Sequence, residues 1–171
     1  IMKKSTFFKS ASLALACAAA TAAFSGCGSK NYAENNTAFF IGASGPLTGS
    51  AASYGIAVQR GAELAVEEIN AKNEDGMRFT FEIKDDKASA ADVPTNFAAL
   101  YEKGMQLSLG AVTSGACLSF KGLAAEKNLF TLCPSATADD VTKDADTVFQ
   151  MCFSDSNQGS VAAQQYFNTD A

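Results

Sequence analysis

Five short apolar or alternating segments, separated by stretches of helical periodicity, constrain this 171-residue chain more than any other feature. "AFFIGAS" from Ala38 is a continuous apolar run and "RFTFEIK" at 78–84 alternates with period two; "MQLSLGAV", "NLFTLC" and "TVFQMCF" supply three more strands. Between the first two, Tyr54, Val58, Ala62, Ala65 and Ile69 recur at helical spacing, with Glu63, Glu67 and Glu68 off that stripe. The pattern predicts further helices from Ser89 to Lys103, with Pro94 tolerated near the first turn and Gly104 as the stop, and over 115–127, then a helical turn at 138–143. Strands joined by helical connectors of about a dozen residues imply right-handed crossovers. The expected class is α/β, a mainly parallel sheet with helices on both faces.

Residues 1–26 read as an export signal rather than as part of that fold. Lys3, Lys4 and Lys9 form a basic start, Ser12 to Phe24 an apolar core too short to span a bilayer, and "FSGC" at 24–27 offers small residues before a cut. The segment resembles a bacterial lipoprotein signal, with Phe24 in place of the usual aliphatic residue. That resemblance makes Cys27 the lipid-bearing first residue of the mature chain and residues 27–37 a polar tether; ordinary secretory cleavage nearby is the alternative.

Removing the signal leaves 10 basic against 18 acidic residues, a charge of −8 instead of −5. An acidic surface with scattered cations excludes nucleic acid as the expected partner. The chain has no histidine. Ser-His-Asp and Cys-His nucleophiles, histidine proton shuttles and histidine metal ligands are excluded with it. Of five cysteines, Cys17 lies in the signal and Cys27 is assigned to lipid. Cys117, Cys133 and Cys152 remain, an odd number without C-x-x-C or metal spacing, and packing is their expected role, with no disulfide framework and no metal.

Ligands of open parallel sheets bind beyond the carboxyl ends of the strands. Four loops qualify: the stretch within "IGASGPLTGSAASYG" (41–55) that ends in Tyr54, "VTSGA" at 112–116, "CPSAT" at 133–137 and "FSDSNQG" at 153–159. Gly42, Gly45 and Gly49 match neither a dinucleotide nor a Walker fingerprint. They suit a sharp strand-to-helix turn that leaves Tyr54 either facing the mouth or in the buried helix stripe. Ser114 and Thr137 are candidates for helix capping, for ligand binding, or for both.

Taken in order, "IGASGPLTGSAASYGIAVQRGAELAVEEINA", "IKDD", "GAVTSGA" and "CPSATADDVT" closely resemble the branched-chain amino acid-binding proteins of bacterial ABC transporters, the periplasmic binding protein type I fold, over about residues 38 to 170. The resemblance implies an incomplete two-lobed receptor. Residues 38–153 correspond to the N-terminal ligand-binding lobe, and 154–171 to the inter-lobe crossing and the truncated first helix of the second lobe, with that helix over 160–171. By motif, Ser114 binds a ligand carboxylate and the Ser135 carbonyl an ammonium group, Ala136 lies between, Thr137 contributes hydroxyl and backbone, and Tyr54 closes over the ligand. Asp155 either fixes the ammonium or shapes the hinge. Some members carry a disulfide in this lobe; its places correspond to Ser89 and Thr113 here, so that bridge is absent.

The implied role is capture of a branched-chain or other small amino acid, or a related amide, for import by an ABC permease. The protein is expected to be extracytoplasmic and lipid-anchored to the membrane, with neither cofactor nor catalysis. One alternative is a sensing receptor of the same fold. A less favoured one is a Rossmann-like enzyme, against which stand the missing glycine fingerprint and the adjacent Asp85 and Asp86, read as helix-entry or surface groups.

Overall fold

The structure, a computed structural model, describes residues 38–72 and 76–167. Strand β1 (Ala38–Gly45) leads to α1 (Ala52–Lys72), β2 (Arg78–Asp85), α2 (Val93–Glu102), β3 (Leu107–Ala111) and α3 (Ser114–Glu126). There follow β4 (Thr131–Cys133), a 3-10 turn (Asp139–Val141), β5 (Val148–Gln150) and α4 (Asp155–Phe167). All strand pairs are parallel and the order is β2-β1-β3-β4-β5, so successive connections run outward in opposite directions from the β1/β3 boundary. The α/β class read from the alternation of strand and helix patterns holds, with helices on both faces. The crevice at that boundary is where a sheet of this order places its ligands.

Strand pleating sorts the side chains. On one face, Phe40 joins Val93, Phe97 and Leu100 of α2, Phe120 and Ala124 of α3, and Val148 of β5 in the core. Phe97 and Phe120 meet edge to face, with centroids 5.0 Å apart. Fully burying each such side chain contributes roughly 1.5–3 kcal/mol. Pro94 occupies the first turn of α2, where its missing N–H costs nothing.

The other face carries Ile41, Phe79, Phe81, Leu109 and Leu132, with α1 standing over them and a 220 Å³ cleft between. Phe130 and Phe149 stack at 5.4 Å and remain about half exposed. In α1, Val58, Ala62, Val66 and Asn70 are half-buried and Tyr54 is exposed, while Ala65 and Ile69, also exposed, line the cleft against the sheet together with Ala62 and Val66. Asn70 adds a polar anchor: its side chain both donates to the Phe79 carbonyl and accepts from its N–H, each at 2.8 Å, clipping α1 to the edge strand.

Two corrections concern the site's borders. The last helix begins at Asp155, ahead of the expected 160, because the Ser154 hydroxyl accepts from the Asn157 N–H as a cap does. Asp86 is fully buried and not a surface group. The signal, the tether and Cys27 lie outside the described residues.

Candidate functional site

The loop after β1 is held by Asp85 at the end of β2. Its carboxylate accepts from the Leu47 N–H (2.8 Å), the Thr48 N–H (3.3 Å) and the Thr48 hydroxyl (2.5 Å), and turns back to the Lys87 N–H (2.9 Å). Partial desolvation opposes ionisation there, but the Thr48 hydroxyl and the backbone donors outweigh it and hold the Asp85 carboxyl below the ordinary value. Asp86 behaves oppositely. Burial pushes its carboxyl up, against hydrogen bonds from the Ala88 N–H and the Ser44 hydroxyl (both 2.9 Å), while Asn96 donates to Ser44 in turn.

The same loop explains why glycine stands at 55. A Cβ there would overlap the Pro46 carbonyl, so the first turn of α1 rests directly on the loop backbone. Tyr54 is thereby presented 59% exposed at the carboxyl edge of the sheet. It is therefore not part of a buried helix stripe.

The other candidates are brought together. Ser114 is the first residue of α3, and its Oγ accepts from the Thr137 N–H (3.2 Å) and the Ala138 N–H (3.3 Å) across from β4. The Thr137 carbonyl accepts from the Asp155 N–H at 2.9 Å, so one chain of hydrogen bonds joins α3, the loop after β4 and α4. Ser114 thus caps no helix; it ties two loops. Thr113, at the N-cap, makes no side-chain cap bond, and its hydroxyl is buried without a partner. The first free N–H groups of α3 consequently have no side chain over them. The Asp155 carboxylate is exposed at the start of α4.

Two residues outside the expected set position the 135–137 loop, and a third ties the turn after it to α4. Gln150 Nε2 donates to the Ala136 and Ala138 carbonyls at 2.9 and 3.0 Å, and the Cys152 thiol donates to the Ala136 carbonyl at 2.8 Å. Asp139 accepts from the Ser156 hydroxyl at 2.7 Å, and the Ser154 and Ser156 hydroxyls hold its carboxyl below the ordinary value. Only long-range pairing reveals these roles; no local pattern marks them. Among the described residues no cluster of ligating side chains fit to hold a metal occurs.

The parallel topology places an uncapped helix terminus and hydroxyl-bearing loops together at the switch point of the sheet. The chain belongs to the periplasmic binding protein family, whose pattern matches residues 38–170. It is 36% identical over 126 residues to the Leu/Ile/Val-binding protein BraC3 of Rhizobium johnstonii, covering 72% of this chain and 34% of that protein. The substrate binding protein LivJ of Streptococcus pneumoniae, solved with isoleucine, superposes with a TM-score of 0.68 at 33% identity, over 77% of this chain and 39% of that one. A solute binding protein from R. palustris, solved with benzoate, superposes with a TM-score of 0.68 at 25% identity, over 77% of this chain and 37% of that one. The chain therefore spans little more than a third of the length of these relatives.

Proposed function

We propose that this chain forms the N-terminal lobe, residues 38–153, of an extracytoplasmic solute receptor, with 154–171 crossing toward a second lobe, and that it binds the carboxylate of a branched-chain or other small amino acid for delivery to an ABC permease. The observation that carries the reading is the state of Ser114. A hydroxyl has two acceptor lone pairs and one proton. Both lone pairs are engaged by the Thr137 and Ala138 N–H groups, so the proton is the function left, and it calls for an acceptor. An uncapped helix N-terminus beside it favours that acceptor being an anion. The free Thr137 hydroxyl adds a second donor, the Ser135 carbonyl and the Asp155 carboxylate suit an ammonium group, and Tyr54 supplies the aromatic cover.

The mature chain on this reading starts at Cys27, which carries lipid and holds the receptor at the outer face of the membrane. No described helix is long and apolar enough to cross a membrane. The benzoate-bound relative motivates a second reading, in which the carboxylate alone is recognised. A thermal-shift screen of the full-length receptor with leucine, isoleucine, valine, small amides and benzoate separates the two. A ligand at 100 times its dissociation constant adds about 2.7 kcal/mol. Stabilisation by the amino acids and not by benzoate is the expected result. Stabilisation by benzoate alone would move the ligand class to simple carboxylates, and stabilisation by none would refute the site.

A further inference from the structure

Helix α4 leaves the lobe with no residue buried, so core packing does not set its direction. Polar contacts at its first turn do. The Asp155 N–H donates to the Thr137 carbonyl at 2.9 Å, and the Ser156 hydroxyl donates to the Asp139 carboxylate at 2.7 Å. Both acceptors belong to one stretch, 137–139, in which the loop after β4 runs into the 3-10 turn. That turn stands on a firm base. Val141 is fully buried, and Lys121 of α3 donates to the Asp140 carbonyl at 2.8 Å and to the Lys143 carbonyl.

The hydroxyls at this junction form a relay with one direction. Ser156 has spent its proton on Asp139, so across the 3.1 Å between the two serine oxygens it is the Ser154 hydroxyl that donates. Ser154 in turn accepts from the Asn157 N–H at 3.3 Å. A carboxylate outside the helix is thus joined through two hydroxyls to an N–H that the helix start leaves without an internal partner. Each bond polarises the next, and the anion lies at the positive end of the helix.

We propose that Asp139 is the positioning residue of the crossing: through Ser156 it sets the direction in which α4 leaves the lobe, and so where a second lobe meets a ligand held at Ser114 and Thr137. This deepens the two-lobed reading given above and rests on it.

The full-length receptor is compared as wild type, Asp139→Ala, Ser156→Ala and the double variant. Asp140→Ala is the charge control, because its exposed carboxylate faces Lys143 at 3.9 Å. Without ligand, each single variant speeds hydrogen exchange at Asp155, Asn157 and Gln158 by about three- to tenfold and leaves the melting temperature unchanged, since the lost bond lies in solvent. Affinity for leucine, measured by calorimetry, falls by a similar factor. The double variant is no worse than either single one, as expected of partners in one bond, and Asp140→Ala behaves as wild type. Four results each overturn the proposal: unchanged exchange, additive single effects, the same effects in Asp140→Ala, or a leucine affinity held within about twofold while exchange speeds up. If leucine binds no version, the ligand assignment fails instead, and exchange across the double-variant cycle decides the proposal alone.

Discussion

On the proposed function Ser114 does two jobs with one oxygen, and its removal tests both. In the full-length receptor, Ser114→Ala should then delete a hydrogen bond to a charged ligand group, worth roughly 1.5–3 kcal/mol or about ten- to a hundredfold in affinity. It also leaves the Thr137 and Ala138 N–H groups without their acceptor, so a loss of thermal stability accompanies it. Thr137→Ala removes a hydroxyl with no protein partner, so calorimetry should show a similar loss of affinity with stability unchanged. Equal loss of stability in both variants would contradict the assignment. Asp85 and Asp86 make a pH prediction with opposite signs. The Asp85 carboxyl is depressed in the folded protein, so its contribution is present above the ordinary value of 3.8 and lost as pH falls through its lower native value. That of Asp86 is raised, so its contribution is fully present below 3.8 and is lost as pH rises through its higher native value. The destabilisation caused by Asp85→Asn should therefore shrink on acidification, and that caused by Asp86→Asn should grow. Urea unfolding of both variants at several pH values checks this; two deficits moving the same way would refute it.

At the level of elements, α1 rests on the backbone of the loop that precedes it. Gly55→Ala forces a Cβ into the Pro46 carbonyl and displaces the helix, costing about 1–3 kcal/mol in chemical denaturation. A neutral substitution would mean that α1 sits differently. Gln150→Ala frees the Ala138 carbonyl and leaves that of Ala136 to the Cys152 thiol alone. It should weaken binding while leaving the overall fold intact, with faster amide exchange confined to 134–138 as the signature. These elements differ in how far the chain announces them. Strands β1 and β2 were legible because eight-residue runs outlast any helical coincidence; β4 and β5, at three residues each, were placed only by their apolar neighbours. The apolar stripe of α1 marks the face that meets the sheet, at Ala62, Ala65 and Ile69, but it carries no sign of Asn70, the polar residue that anchors the helix to β2. Ser114, Thr137 and Asp155 are candidates named from their position after strand ends and from family resemblance, and the structure joins them in one hydrogen-bond chain. Gln150 and Cys152 carry no such mark, since their bonds depend on which distant segments the sheet brings side by side.

The whole molecule sets the affinity. A lobe that meets an amino acid on one side leaves the other side's charges solvated and gains little from them, whereas closure of two lobes desolvates the ligand and strengthens each hydrogen bond around it. The 171-residue chain alone should thus bind far more weakly than the full-length receptor. Its processed form should begin at a lipid-modified Cys27, and mass spectrometry showing a different, unmodified first residue would remove the anchor from the account. The central claim is that the Ser114 hydroxyl and the α3 terminus recognise a carboxylate. Calorimetric titration of full-length wild type and Ser114→Ala with the tightest-binding amino acid, and with the matching amine that lacks the carboxylate, tests it most directly. The account predicts that the amino acid loses about ten- to a hundredfold in affinity on substitution and that the amine binds both proteins equally weakly. An amino acid affinity unchanged within about twofold, or an amine bound as tightly as the amino acid, would contradict it.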